Sequence, residues 1–173
     1  MREEPPFENM EKSSTMEVVT EAEQAEIIQW ANANYKTFRR NGDEYRQFKI
    51  LNGLPGVPSC VWDIKKRIVE KEGLQHAPQE PMFKDYIGYI LPGGQIHPHT
   101  DLNVDGLIHT RFNAIIQLPE KGGMPIYGEK TIQVCERHYI RCNSGIDKHY
   151  CELVEGKKAR IVLSFGFLLL PNV

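Results

Sequence analysis

Between Thr20 and Phe38 the apolar residues recur at three- and four-residue steps. Ile27, Ile28, Ala31, Tyr35 and Phe38 fall on one side of a helical projection, and Glu26, Gln29 and Lys36 fall on the other. At the front of this run Thr20 and Glu23 form a T-x-x-E pattern, in which each side chain can satisfy a backbone donor of the other. A helix is therefore expected over 20–38. A short strand is expected over 46–51, followed by a turn at Gly53, Pro55 and Gly56. A second helix is expected over 59–72, with Val61, Ile64 and Ile68 inward and Gly73 as its stop. Trp30 and Trp62 lie on these helices and are expected to pack between helix and sheet.

Past Pro78 and Pro81 the apolar period shortens to two. Residues 85–91 read as a strand, Pro92, Gly93 and Gly94 as a turn, and 95–101 as the next strand. Over 111–118 one strand face carries Arg111, Asn113, Ile115 and Gln117, and the other carries Phe112, Ala114, Ile116 and Leu118. Further strands are expected over 131–134, 138–142 and 160–169. In the last of these, Arg160, Val162 and Ser164 alternate with Ile161, Leu163, Phe165 and Phe167. Helices first and many short strands afterwards imply an α+β fold whose β part is a sandwich or jelly roll.

The 173 residues suffice for one domain with its own core, expected over 17–173 behind a polar, acidic arm at 1–16. Hydrophobic residues make up 40% and charged residues 25%, the balance of a globular domain. The net charge is −2 and no Lys/Arg-rich stripe is present, so nucleic acid is not the expected partner. The four cysteines form no C-x-x-C pair, which argues against a zinc knuckle; they read as small buried hydrophobes with reduced thiols. The first residues lack the apolar core of a signal peptide and no apolar run is long enough to span a membrane. A cytoplasmic protein is expected.

The chemistry concentrates on the strand face that carries polar groups. His99 and Asp101 stand two residues apart, so on a strand both side chains project to one side while Thr100 points away. A third ligand must come from elsewhere, and His138 and His149 are the downstream candidates. His149 fits better, because the segment from Lys148 leads through one turn at Gly156 into the strand opened by Arg160. Arg141 follows His138 by only three positions, too close for a hairpin return. His97 shares the face of His99, but a third ligand from one strand would crowd the ion, so it is expected beside the ligands or on the substrate side. Two imidazoles and one carboxylate leave half of a coordination sphere open, the arrangement non-haem Fe(II) uses to activate O2. Zinc on the same ligands with an activated water would instead give a hydrolase.

The run Gly93-Gly94-Gln95-Ile96-His97-Pro98-His99-Thr100-Asp101 resembles the first metal motif of Fe(II)/2-oxoglutarate-dependent dioxygenases, in particular their prolyl-hydroxylase-like branch. The strand carrying Arg111, followed by Gly122-Gly123 after an L-P-E-K turn, is similar to the next segment of that family. His149 and the strand from Arg160 look like its closing hairpin. The resemblance covers roughly residues 84–170. It implies a cupin-like double-stranded β-helix core (84–170) with N-terminal helices (17–80) packed on the major sheet. It further implies a hydroxylase that decarboxylates 2-oxoglutarate to succinate, with Fe(II) held by His99, Asp101 and His149, and ascorbate in a supporting role. A protein or peptide side chain is the implied substrate, with a free amino acid or other small molecule as the alternative. Oxidative demethylation of nucleic acid, and a non-catalytic cupin-like metal-binding module, are the remaining readings.

The same resemblance puts a basic residue on a late strand against the far carboxylate of 2-oxoglutarate. Lys158 and Arg160 share a face, so alternation does not separate them. Arg160 is preferred, because its planar guanidinium suits a carboxylate and it opens the apolar run. Ser164 shares the face of Arg160 and is expected to add a hydroxyl contact, whereas Val162 stands where several relatives place a serine or threonine. Arg111 and Asn113 are expected to contact 2-oxoglutarate or the substrate, since buried polar groups need partners. Tyr86, Tyr89 and Tyr127 are candidates for a hydroxyl to the cosubstrate, with Tyr89 the one preferred.

Overall fold

The computed structural model describes residues 17–41 and 43–171, so the arm expected over 1–16 lies outside the described residues. Helix α1 (Glu21–Asn34) begins where the T-x-x-E pattern places it. Thr20 Oγ1 accepts from the Glu23 N–H at 3.3 Å, and Glu23 Oε2 accepts from the Thr20 N–H at 2.9 Å. The helix stops short of residue 38. Asn34 donates to the Trp30 carbonyl and Thr37 to the Asn34 carbonyl, and a single 3-10 turn (Tyr35–Thr37) follows. Helix α2 (Cys60–Glu72) ends on Gly73 at φ 67°, the left-handed conformation that glycine adopts at least cost.

The strands are β1 (Arg39–Asn41), β2 (Asp43–Ile50), β3 (Asp85–Ile90), β4 (Ile96–His99), β5 (Ile108–Gln117) and β6 (Lys121–Gly122). They continue with β7 (Pro125–Tyr127), β8 (Lys130–Thr131), β9 (Tyr139–Cys142), β10 (His149–Cys151), β11 (Val154–Glu155) and β12 (Arg160–Leu169). One sheet has the order β1-β2-β3-β12-β5-β9 and a second the order β4-β10-β7-β8; β11 and β6 form a short ribbon, and every pairing is antiparallel.

The two faces of the larger sheet do different work. Ile161, Leu163, Phe165 and Phe167 of β12, with Phe112 and Ala114 of β5, join Ile27, Ala31, Val61, Ile64 and Ile68 of the helices in one core. Each of the larger side chains in this core, the Val, Ile, Leu and Phe residues, stabilises the fold by roughly 1.5–3 kcal/mol through burial. On the other face Ile115 and Val162 pack with Val134 and Ile140, under Tyr127 and Leu118.

Leu118 departs from the expected alternation. The register of β12 against β5 shifts between Ile161 (opposite Gln117) and Val162 (opposite Ile115), so β5 carries an extra residue there. Such a bulge moves the following side chains to the opposite face. Two other expectations are corrected. The strand expected over 131–134 is reduced to Lys130–Thr131, and the strand expected at 46 begins at Asp43 as half of a hairpin with β1. No described helix is long and apolar enough to cross a membrane.

Candidate metal centre and cavity

A cavity of about 400 Å³ lies between the two sheets. Its walls include Ile96 and His99 of β4, Pro125 and Tyr127 of β7, His149 of β10, and Arg111, Asn113, Arg160 and Val162 of the larger sheet. Antiparallel pairing sets His99 directly opposite His149, and their rings lie 4.3 Å apart. Asp101 sits two residues past β4, held there by its own N–H donating to the Ser144 carbonyl at 2.7 Å. The structure thus brings His99, Asp101 and His149 together, with one donor atom of each within 4.8 Å of the others. Nε2 of His99 is 3.6 Å from Asp101 Oδ1, and Nε2 of His149 is 3.8 Å from Asp101 Oδ2.

Each imidazole is oriented the same way. Nδ1 of His99 lies 2.8 Å from the His97 carbonyl and Nδ1 of His149 lies 3.0 Å from the Asp147 carbonyl. A carbonyl can only accept, so both Nδ1 atoms carry the proton and both Nε2 lone pairs point to the shared space. Burial holds the His149 ring below its ordinary pKa of 6.5, which favours the neutral form that a metal requires. Donor pairs at right angles around an ion with bonds of roughly 2.1 Å lie about 3 Å apart. The carboxylate-to-imidazole spacings exceed that by under about 1 Å, within reach of small side-chain rotations. The mixed nitrogen and oxygen donors on one side suit Fe(II).

The imidazole of His97 is exposed; its carbonyl, rather than its ring, touches a candidate ligand. His138 stands apart from this group, its Nδ1 3.0 Å from the Glu136 carbonyl.

Arg160 is 7% exposed and lines the cavity. Its Nε donates to the Gly123 carbonyl at 2.7 Å, and among the described residues no carboxylate lies within ion-pair distance of it. A buried guanidinium without an anion is costly, so this one suits a ligand that brings a carboxylate. Ser164 Oγ, on the same face, is buried without a hydrogen-bond partner. Lys158 is exposed and stands outside both β12 and the cavity wall. Asn113 lines the cavity and is hydrogen-bonded to Tyr127, whose phenol burial keeps protonated far above the usual range. The neighbouring Cys142 thiol is pushed up to about 12, chiefly by burial, which keeps it in the neutral form.

Two of the residues expected at the cosubstrate are otherwise engaged. Tyr89 is on the helix side of the sheet: it pairs with Ile161, stacks on Tyr35 at 4.7 Å and donates to Asn32 at 2.8 Å. The alternation of β3 turns Tyr86, not Tyr89, into the cavity. Arg111 does line the cavity, but its donors serve protein acceptors. Nε donates to His109 Nε2 at 3.0 Å, Nη1 to the Lys84 carbonyl at 2.7 Å and Nη2 to Glu80 at 2.7 Å, while the guanidinium lies 4.8 Å over the Tyr86 ring. Glu80 and His109 are the buried partners that sequence reasoning missed. Glu80 lies in a loop with no periodicity; a buried arginine at 111 was the one signal that an acid had to be near.

No protein-family model and no curated protein sequence matches the chain. Solved structures do. A viral collagen prolyl hydroxylase from Paramecium Bursaria Chlorella virus-1, solved with 2-oxoglutarate, superposes with a TM-score of 0.64 at 15% identity, covering 90% of this chain and 93% of that one. A Pseudomonas putida prolyl-4-hydroxylase gives 0.59 at 12% identity over 86% of both chains. HygX from Streptomyces hygroscopicus, with nickel, 2-oxoglutarate and hygromycin B bound, gives 0.58 at 9% identity over 89% of this chain and 81% of its own. The chain shares the fold of these prolyl hydroxylases and of this 2-oxoglutarate-binding protein.

Proposed function

We propose that the chain is an Fe(II)- and 2-oxoglutarate-dependent dioxygenase that hydroxylates a C–H bond of a protein or peptide side chain. The two sheets are read as a double-stranded β-helix within one domain over 17–173. His99, Asp101 and His149 are the metal ligands, and Arg160 is the anchor for 2-oxoglutarate. The observation that carries the reading is a coincidence in one cavity: two imidazole Nε2 atoms turned on a carboxylate, and on the same wall a buried arginine with no acid partner among the described residues.

The residues divide the work. Carbonyl contacts from His97 and Asp147 hold the two histidines in the ligating tautomer. The two outer nitrogens of Arg160 offer a pair of parallel donors to a carboxylate. Phe48, Phe83 and Ile96 give the cavity an apolar stretch of wall. When bound, the ion supplies the coupling of O2 to the decarboxylation of 2-oxoglutarate to succinate.

A small-molecule substrate is the second reading, supported by the hygromycin B bound to HygX on the same fold. Incubating the protein with Fe(II), ascorbate and 2-oxoglutarate and measuring succinate by mass spectrometry tests the proposal, with His99→Ala as the inert control. Equal background turnover by both proteins, with iron loading of the wild type confirmed, would overturn it. A search for peptides or metabolites that gain one oxygen atom decides between the two substrate classes.

A further inference from the structure

Asp101 is not held by a strand, yet it must face His149 from a different segment. What joins the segments is a set of hydrogen bonds between 101–109 and 143–147. The Asp101 N–H donates to the Ser144 carbonyl at 2.7 Å, and the Gly145 N–H donates to the His109 carbonyl at 2.9 Å. Ser144 Oγ donates to that same carbonyl at 3.2 Å. The Asn103 side chain spans the gap: its Nδ2 donates to the Gly145 carbonyl at 3.1 Å and its Oδ1 accepts the His109 N–H at 3.0 Å. The approach is so close that a Cβ on Gly145 would lie 1.7 Å from Asn103 Oδ1.

The His109 ring completes the arrangement. It is 2% exposed, is hydrogen-bonded to the backbone of Leu102, and places Nε2 3.8 Å from Asp101 Oδ2. Because Arg111 donates to that Nε2, the nitrogen is an acceptor and cannot draw on the carboxylate. The ring therefore walls one side of Asp101 while leaving both oxygens available to an ion.

We propose that Asn103 and His109, locked against Gly145, are positioning residues that fix the Asp101 carboxylate opposite His149 before any ion binds. The inference rests on the reading of Asp101 and His149 as metal ligands. A site assembled in advance binds its ion without the cost of ordering two loops.

The test is Co(II) binding to the full chain, measured by calorimetry and by the visible spectrum of the bound ion, beside the melting temperature. Asn103 is exposed, so Asn103→Ala is expected to fold. Its Co(II) affinity should fall roughly 10-fold or more, with an altered spectrum. Gly145→Ala should act in the same direction by displacing Asn103, and in the N103A background it should add little, as coupled sites do. Ile64→Val in the helical core should lower the melting temperature and leave Co(II) affinity unchanged. Wild-type affinity in both N103A and G145A, or an equal loss in I64V, would overturn the positioning role while the metal reading stood. A wild-type protein that bound no Co(II) would remove the metal reading and the positioning role with it.

Discussion

Nη2 of Arg111 donates to Oε2 of Glu80 across 2.7 Å, with side-chain exposures of 4% and 1%. Glu80 lies in the loop before β3 and also accepts the N–H groups of Met82, Phe83 and Lys84. One buried ion pair thus fastens the loop that carries Phe83 to strand β5, along the cavity wall. This explains why an arginine can stand inside the sheet without a ligand.

Breaking that pair strands a buried charge. Glu80→Gln should destabilise the protein by about 3–5 kcal/mol, because Arg111 loses its anion in a site closed to water. Arg111→Met should also destabilise, and the double variant should lose less than the sum of the two, since the second change removes the orphaned partner. Urea unfolding of the four proteins measures this directly. Purely additive losses would mean that the pair does not act as a unit.

Arg160 and Lys158 part company in their surroundings, one buried on the cavity wall and one in solvent. Arg160→Ala should raise the KM for 2-oxoglutarate roughly 30-fold or more, the effect of about 2 kcal/mol lost when one partner of a buried charge pair is truncated. Lys158→Ala should leave it unchanged. Titrating succinate formation against 2-oxoglutarate compares the two, and the opposite result would hand the anchoring role to Lys158.

Glu23 both caps α1 and chelates Arg67, with Oε2 2.9 Å from Nη1 and Oε1 against Nη2. The Arg67 hydrogen bonds hold its carboxyl below the ordinary 4.5. A carboxyl whose folded pKa is depressed adds stability above its unfolded value and loses it as pH falls through the folded value. Stability should therefore decline below about pH 4.5. Glu23→Gln keeps the capping geometry but not the charge. It should lower stability at neutral pH and flatten this acid limb, as read from unfolding curves between neutral and acidic pH. A slope identical to wild type would place the acid sensitivity elsewhere.

Features with local causes were legible in the chain. The start of α1 follows from Thr20 and Glu23, the end of α2 from Gly73, and the two faces of β12 from strict alternation. His99 and Asp101 were recognisable because two ligands lie two residues apart. The reason proved different for Asp101, which is held by the Ser144 carbonyl rather than by the pleat. What escaped depends on partners distant in sequence. The bulge that turns Leu118 inward exists only against β12, and the face of Tyr89 is set by its register with Ile161. The acid that satisfies Arg111 comes from a loop 31 residues away.

Ligand linkage separates the two halves of the proposed site. An ion that binds only the folded protein stabilises it by about 2.7 kcal/mol at roughly 100 times its Kd. For a chain of this size that is a rise of about 5–11 °C in melting temperature. Mn(II) added to chelator-stripped wild type should produce such a rise, and 2-oxoglutarate added afterwards a second one. His149→Ala should lose both increments, because the ion has only two ligands left. Arg160→Ala should keep the first and lose most of the second, because its metal ligands are intact and only the carboxylate anchor is gone. Thermal scans of the three proteins, each with and without Mn(II) and 2-oxoglutarate, give the answer. A second increment retained by Arg160→Ala would mean that 2-oxoglutarate is held by other donors on the cavity wall, such as Asn113 and Tyr127.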